Sequence, residues 1–372
     1  MGPKHTNNSN DFNDFQIPTL IKLIEEETKN NSNIIFSPHS LYLPLCLLLN
    51  GTLGNTQKLI QKYLCLKNPL NLTELNEYNL SLGSNFFLDD SNICSIVNAI
   101  FTTIKLQSEF VALANKYYDC TIDKLESVEQ VNDYIADKTK NKIKHVIDDI
   151  NDTKIIIVNT IYFLSEWKYP FDKDYTRNGK FNSKKGKTDC LYMNNTFRKL
   201  EDVSYYSGSK AEIIILPYKL EDFICVIILP KKLELNDYIN SINEEDINNL
   251  INKCKPVDIS LTIPKVKIEY AAEMNKPIAK MGVDIFKGAP PKDYSKLSLE
   301  FNNLPVEIDI IVKYTLDIDE KGTEASMVSV VKLMQKCVQK DPVKMVVDRP
   351  FLYCLKHKKI DKYLMLAKIE DL

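Results

Sequence analysis

The spacing of apolar residues along the chain changes near residue 154. Before it, most segments repeat with the helical period. Ile17, Leu20, Ile21 and Ile24 recur three and four apart, which predicts an amphipathic helix over 16–28. The stretch 41–49 is apolar nearly all round, so its helix should lie inside a core. Ser37 is a fitting N-cap for that helix, and Pro38 suits its first position, where a missing N–H costs nothing. Further helices are predicted over 57–64 and over 108–117, the latter capped by Ser108. Ser127-Val-Glu-Gln130 reads as a capping box before Val131 and Ile135. Beyond residue 154 strand patterns take over. They fall at 155–163, 212–216, 223–229, 258–263, 266–268 and 309–319. Helical spacing returns only at 237–252 and 272–281. Helices first and strands after predict an α+β fold, not alternating βαβ units.

Length alone, 372 residues, suggests two or three domains at about 150 residues each. No Pro/Gly/Ser-rich linker divides the chain, so one domain over 14–372 is expected, after a flexible N-terminus at 1–13. A hydrophobic share of 44% and a charged share of 26% exclude disordered and small disulfide-held classes. The longest apolar run is about half the span of a bilayer and contains Pro44, so no membrane helix is expected. Net charge is −2, which provides no drive toward nucleic acid or acidic membranes. No apolar run follows a basic start, so a secretory signal is not visible. Nine cysteines form no CxxC pair and read as free thiols of a reducing compartment. A cytoplasmic monomer is expected, with unconventional release as the alternative. HExxH, GxSxG and Gly-rich phosphate loops are missing, and with four histidines the chain offers no enzyme, metal or cofactor signature. Lys356-His-Lys-Lys359 reads as a solvated hairpin.

The informative segment follows Asp319. Read as a strand, one face would hold Thr323, Ala325, Met327, Ser329, Val331 and Leu333, none of them charged. The other holds Glu324 and Lys332. Periodicity alone favours a permanent amphipathic strand.

Asp319-Glu-Lys-Gly-Thr-Glu-Ala325 resembles the hinge of the serpin family, and Met345-Val-Val-Asp-Arg-Pro-Phe-Leu-Tyr-Cys-Leu355 resembles its C-terminal signature. Asn33-Ile-Ile-Phe-Ser-Pro-His-Ser40 is similar to the start of the family's second helix. Val158-Asn-Thr-Ile-Tyr-Phe163 with Trp167 is similar to its central strand. Leu216-Pro-Tyr218 and Ile228-Leu-Pro230 resemble strands of its second sheet. Five motifs in order, from about residue 14 to the end, are far more specific than any one. The Asn/Ile/Lys-heavy usage resembles the poxviral branch.

The resemblance implies a serpin fold and an inhibitor that is itself a substrate. A protease serine attacks an exposed reactive-centre loop, here about 320–345. The cut loop then enters the main sheet as a new strand and distorts the acylated protease. The uncharged face from Thr323 to Leu333 would be buried by that step, where a charge would cost several kcal/mol. Glu320, Gly322, Thr323 and Ala325 would form the hinge. Met327 and Val328 depart from the small residues the family prefers. Counting from Glu320 places the reactive bond at Lys336–Cys337, whereas counting back from Pro350 gives Gln339 or Lys340. Lys336 implies a trypsin-like target with an Asp in its pocket, and Asp341 leaves a caspase-like alternative. Ser37, Ser40, Asn159 and Trp167 match the region where the main sheet opens, but Val312 replaces a histidine that usually completes its polar cluster. Ala367 stands where the family usually has Gly. The alternative is a non-inhibitory carrier or chaperone-like member.

Overall fold

In the computed structural model, which describes residues 33–64, 66, 71–86, 94–150, 153–232, 234–280, 282–286, 289–323 and 341–372, the strands gather into three sheets. The first runs β1 (Ile34–Phe36), β18 (Lys362–Ile369), β17 (Phe351–His357), β10 (Phe223–Pro230), β9 (Ala211–Pro217), β8 (Ser204–Ser207) and β11 (Lys255–Pro256). All eight residues of β10 are buried. A strand covered on both faces needs no polar alternation, which explains its unbroken apolar run. A four-stranded sheet orders β16 (Val343–Val346), β12 (Ile259–Pro264), β7 (Gly186–Phe197) and β6 (Arg177–Ser183).

The main sheet orders β3 (Cys120–Lys124), β2 (Cys94–Thr102), β4 (Ile155–Phe163), β14 (Ile308–Ile318), β15 (Gly322–Thr323) and β5 (Ser165–Glu166), with β13 (Val266–Glu273) along the other side of β14. Its central strand β4 divides two cores. Ile155, Ile157, Ile161 and Phe163 enter the large core, and Ile156 and Val158 enter a smaller one. Successive side chains of a strand point to opposite faces, so the Ile-rich run feeds both. Each fully buried Ile or Val contributes about 1.5–3 kcal/mol.

Eight helices occur among the described residues: α1 (Pro38–Gly51), α2 (Gly54–Tyr63), α3 (Leu72–Phe86), α4 (Ser108–Tyr118), α5 (Val128–Lys138), α6 (Leu235–Asn240), α7 (Glu244–Lys253) and α8 (Asn275–Lys280). The α+β class is as expected. Helix α1 is the core helix the sequence predicts, and α5 covers the smaller core.

Several expectations need correction. Strands β2 and β3 belong to the main sheet although they lie in the half read as helical. The segment 237–252 is two helices, because Asn243 starts a new one. Its side chain accepts from Asp246 N at 2.8 Å, and Asp246 Oδ2 accepts from Asn243 N at 3.0 Å. The helix near 272–281 begins only at Asn275, since Ala272 is still paired in β13. Ser108 is a first-turn residue after an N-cap at Gln107. The box at Ser127 is half formed: its hydroxyl accepts from Gln130 N at 3.1 Å, but Gln130 Oε1 accepts from Glu126 N. The ends of the expected reactive loop are ordered, with Gly322–Thr323 in the main sheet and Val343–Val346 in the four-stranded one. The predicted helix at 16–28, the N-terminus 1–13, and Ala325, Lys336, Cys337, Gln339 and Lys340 lie outside the described residues.

Candidate functional site: the hinge and the seam of the main sheet

Strands β4 and β14 pair in parallel over seven residue pairs, from Ile155↔Ile308 to Ile161↔Tyr314. Above that seam the chain turns at Asp319, whose Oδ1 accepts from Lys321 N and Gly322 N and whose own N–H donates to Gly322 O. The turn returns Gly322 and Thr323 as β15, antiparallel to both neighbours: Thr323 lies opposite Ile318 on one side and Ser165 on the other. Only glycine fits at 322. A Cβ there would stand 2.2 Å from Ser165 O and 2.5 Å from Glu166 Cα.

Trp167 closes the corner. Its backbone N–H donates to Lys321 O at 2.7 Å and its indole Nε1 donates to Asp319 O at 2.9 Å. Its ring stacks on Tyr218, with centroids 4.6 Å apart. Thr323 is 2% exposed. Its Oγ1 lies 2.7 Å from the Tyr218 hydroxyl, which lies 2.8 Å from the Tyr353 hydroxyl. Glu320 is buried too. It accepts from Lys265 Nζ at 2.8 Å and from Thr176 Oγ1 at 2.8 Å. Burial would raise its carboxyl pKa, but the bonds from Lys265, the backbone and Thr176 outweigh it and hold the group below the usual glutamate range.

Halfway down the seam stand the other predicted residues. Ser37 caps α1 by its backbone only; its hydroxyl, that of Ser40 and the Oδ1 of Asn159 are buried without a hydrogen bond. Ser37 is therefore not the side-chain cap the sequence suggested. Val312 faces Asn159 across the β4–β14 pair, so the place of the missing histidine is apolar. The buried Tyr314 phenol is directed at Ser40 and the Ser37 backbone, without reaching hydrogen-bond geometry to the Ser40 hydroxyl. Asn159 instead donates through Nδ2 to Asn98 Oδ1 at 2.6 Å, and Asn98 donates to Tyr118 O.

The structure thus brings Glu320, Gly322, Thr323 and Trp167 into one cluster, and Ser37, Ser40 and Asn159 to the seam below it. The sequence did not point to Lys265, Thr176, Tyr218 or Tyr353 as partners of the hinge. Lys265 follows Pro264 at a strand boundary like many surface lysines, and nothing local marks its pairing with Glu320.

The family model described as Serpin (serine protease inhibitor) matches residues 11–372. An uncharacterized serpin-like protein of Methanosarcina mazei is 27% identical over 382 residues, covering 96% of this chain and 86% of that protein. Serpin B8 of Homo sapiens is 26% identical, covering 95% and 96%. The likeness therefore spans an archaeon and a vertebrate and does not select a poxviral branch. Among solved structures, the thermophilic serpin tengpin in its native state superposes with a TM-score of 0.85 at 22% identity, covering 100% of this chain and 96% of that one. Thyroxine-binding globulin in complex with thyroxine superposes at 0.82 with 20% identity, covering 97% and 98%.

Proposed function

The chain belongs to the serpin family, and from that premise we propose that it is a suicide-substrate inhibitor of trypsin-like serine proteases. The carrying observation is the geometry at the top of the seam. Strand β15 enters antiparallel to both neighbours, directly above strands that pair in parallel. A strand continuing β15 downward would exchange one parallel ladder for two antiparallel ones, each somewhat stronger per residue. Thr323 is buried, so Ala325, Met327, Ser329, Val331 and Leu333 share its face by alternation, and none would bury a charge.

In this reading the protease serine attacks the Lys336 carbonyl, the amine of Cys337 leaves, and an acyl-enzyme forms. Insertion of the freed loop then carries the protease away before water can deacylate it. The chemistry is the protease's; this chain supplies bait and stored conformational energy. Lys336 supports a target with an acidic specificity pocket. The rival reading, a binding protein without inhibitory action, draws on the likeness to thyroxine-binding globulin. The uncharged core-facing hinge weighs against it.

Incubation with trypsin followed by denaturing electrophoresis tests the proposal. A covalent complex stable in SDS is expected, with release of a peptide beginning at Cys337. Clean cleavage without complex would favour the binding-protein reading. A peptide beginning at Asp341 would move the reactive residue to Lys340. Lys336→Ala should slow complex formation at least a hundredfold, since it removes the charge partner of the pocket's aspartate.

A further inference from the structure

We propose that Tyr218 is a positioning residue for the trapping reaction: its hydroxyl, bridging Thr323 and Tyr353, seats the hinge in the main sheet before any bond is cut. The inference rests on the inhibitory reading above for its purpose, though not for its geometry.

Three buried hydroxyls stand in a row, Thr323 Oγ1, Tyr218 OH and Tyr353 OH, 2.7 and 2.8 Å apart. They belong to three separate elements. Thr323 ends β15, Tyr218 follows β9, and Tyr353 lies within β17, paired to Ile227 on one side and Ala367 on the other. The Tyr218 ring has no room to swing. Trp167 stacks on one face at 4.6 Å, and Phe163 meets it edge-on at 5.0 Å. Its hydroxyl is therefore held at a fixed place, and the far end of the row is anchored in the centre of another sheet.

The consequence is kinetic. After cleavage, insertion races deacylation. A new strand that starts from coil must order its first residues before any ladder bond repays that loss. Here the first two residues, Gly322 and Thr323, already pair with β14 and β5. Insertion propagates from a formed beginning.

The rival role for Tyr218 is that of a filler in the core, and phenylalanine would serve that equally well. Tyr218→Phe separates the two. Hydrogen exchange is followed at the backbone amides of Trp167 and Phe171, which donate to the hinge carbonyls of Lys321 and Glu320. Emission of Trp167, the only tryptophan in the chain, is a second readout. Loss of one buried hydrogen bond should speed exchange at both amides about five- to tenfold, with β10 amides unchanged. Thr323→Val should do the same and Thr323→Ser should not. With trypsin as the probe, Tyr218→Phe should at least double the inhibitor consumed per protease trapped. Unchanged exchange in Tyr218→Phe and Thr323→Val overturns the proposal, whatever the protease does. Faster exchange combined with normal trapping efficiency overturns the role in trapping and leaves only a fastening. Faster exchange in a protein whose wild type never traps trypsin upholds the seated hinge and sinks the inhibitory reading instead.

Discussion

Two places on the same seam are built in opposite ways. At the top, the buried polar groups of the hinge have partners: Glu320 with Lys265 and Thr176, Thr323 with Tyr218, the Trp167 indole with Asp319. Midway down, the hydroxyls of Ser37, Ser40 and Thr160 and the Oδ1 of Asn159 have none. Leaving a buried polar group unpaired costs about 1–3 kcal/mol. The seam is thus fastened where a strand would enter and under-bonded where strands β4 and β14 would have to part. Side-chain hydrogen bonds gather at the entrance, and below it β4 and β14 are joined chiefly by their backbone ladder.

The comparison can be broken hardest at Thr323. Thr323→Arg puts a guanidinium into a site that is 2% exposed and removes the Tyr218 bond. A buried unpaired charge costs several kcal/mol. Because Thr323 is buried before cleavage, the native protein itself should lose stability, seen as a lower urea midpoint, and SDS-stable complex should vanish. A stable variant that still trapped protease would mean the hinge is not seated as described.

Lys265→Ala comes next. It leaves the Glu320 carboxylate buried with only Thr176 and the backbone as partners, and Lys265 is partly exposed, so a loss of about 1–2 kcal/mol is expected. Acid gives the same contact a sign. A carboxyl whose folded pKa is depressed contributes stability above its unfolded pKa, about 4.3, and loses it as pH falls through the lower folded value. Stability of the wild type should therefore decline below about pH 4.5, and Glu320→Gln should flatten that decline. Equal acid slopes in the two proteins would refute it.

At mid-seam the effect depends on whether the side chain has a bond to lose. Asn159→Ala strands the Asn98 acceptor and should cost about 1–2 kcal/mol by denaturant melting. Ser40→Ala removes a hydroxyl that has no bond to lose, so a neutral result or a gain of about 0.5 kcal/mol is expected. A cost above about 1 kcal/mol would show that Ser40 is bonded and end the contrast.

What was legible followed from burial. The strands β4, β10 and β14 and helix α1 are apolar because they are covered, and periodicity found them. Helix α3 escaped because its buried side sets Asn76 and Asn79, bonded to Asn50 and Tyr118, between Leu75 and Leu82 and so interrupts the apolar stripe. Strands β6 and β7 escaped because much of their surface is exposed and polar. Strand β3 is an edge strand of which only Cys120 is buried. At the site, Glu320, Gly322, Thr323 and Trp167 were named through a family likeness. The partners of their side chains lie up to 152 residues away, the separation of Trp167 from Asp319, and no local pattern encodes such a pairing.

The parallel join between β4 and β14 also fixes what a melting experiment on this protein can mean. Seven residue pairs hold a sheet that has a better-bonded arrangement available to it once the segment after Thr323 is free. On the proposed inhibitory reading, a fold of that kind persists because leaving it is slow. Its transition on heating should move with the scan rate, and its stability is then a half-life at a stated temperature in place of an equilibrium free energy.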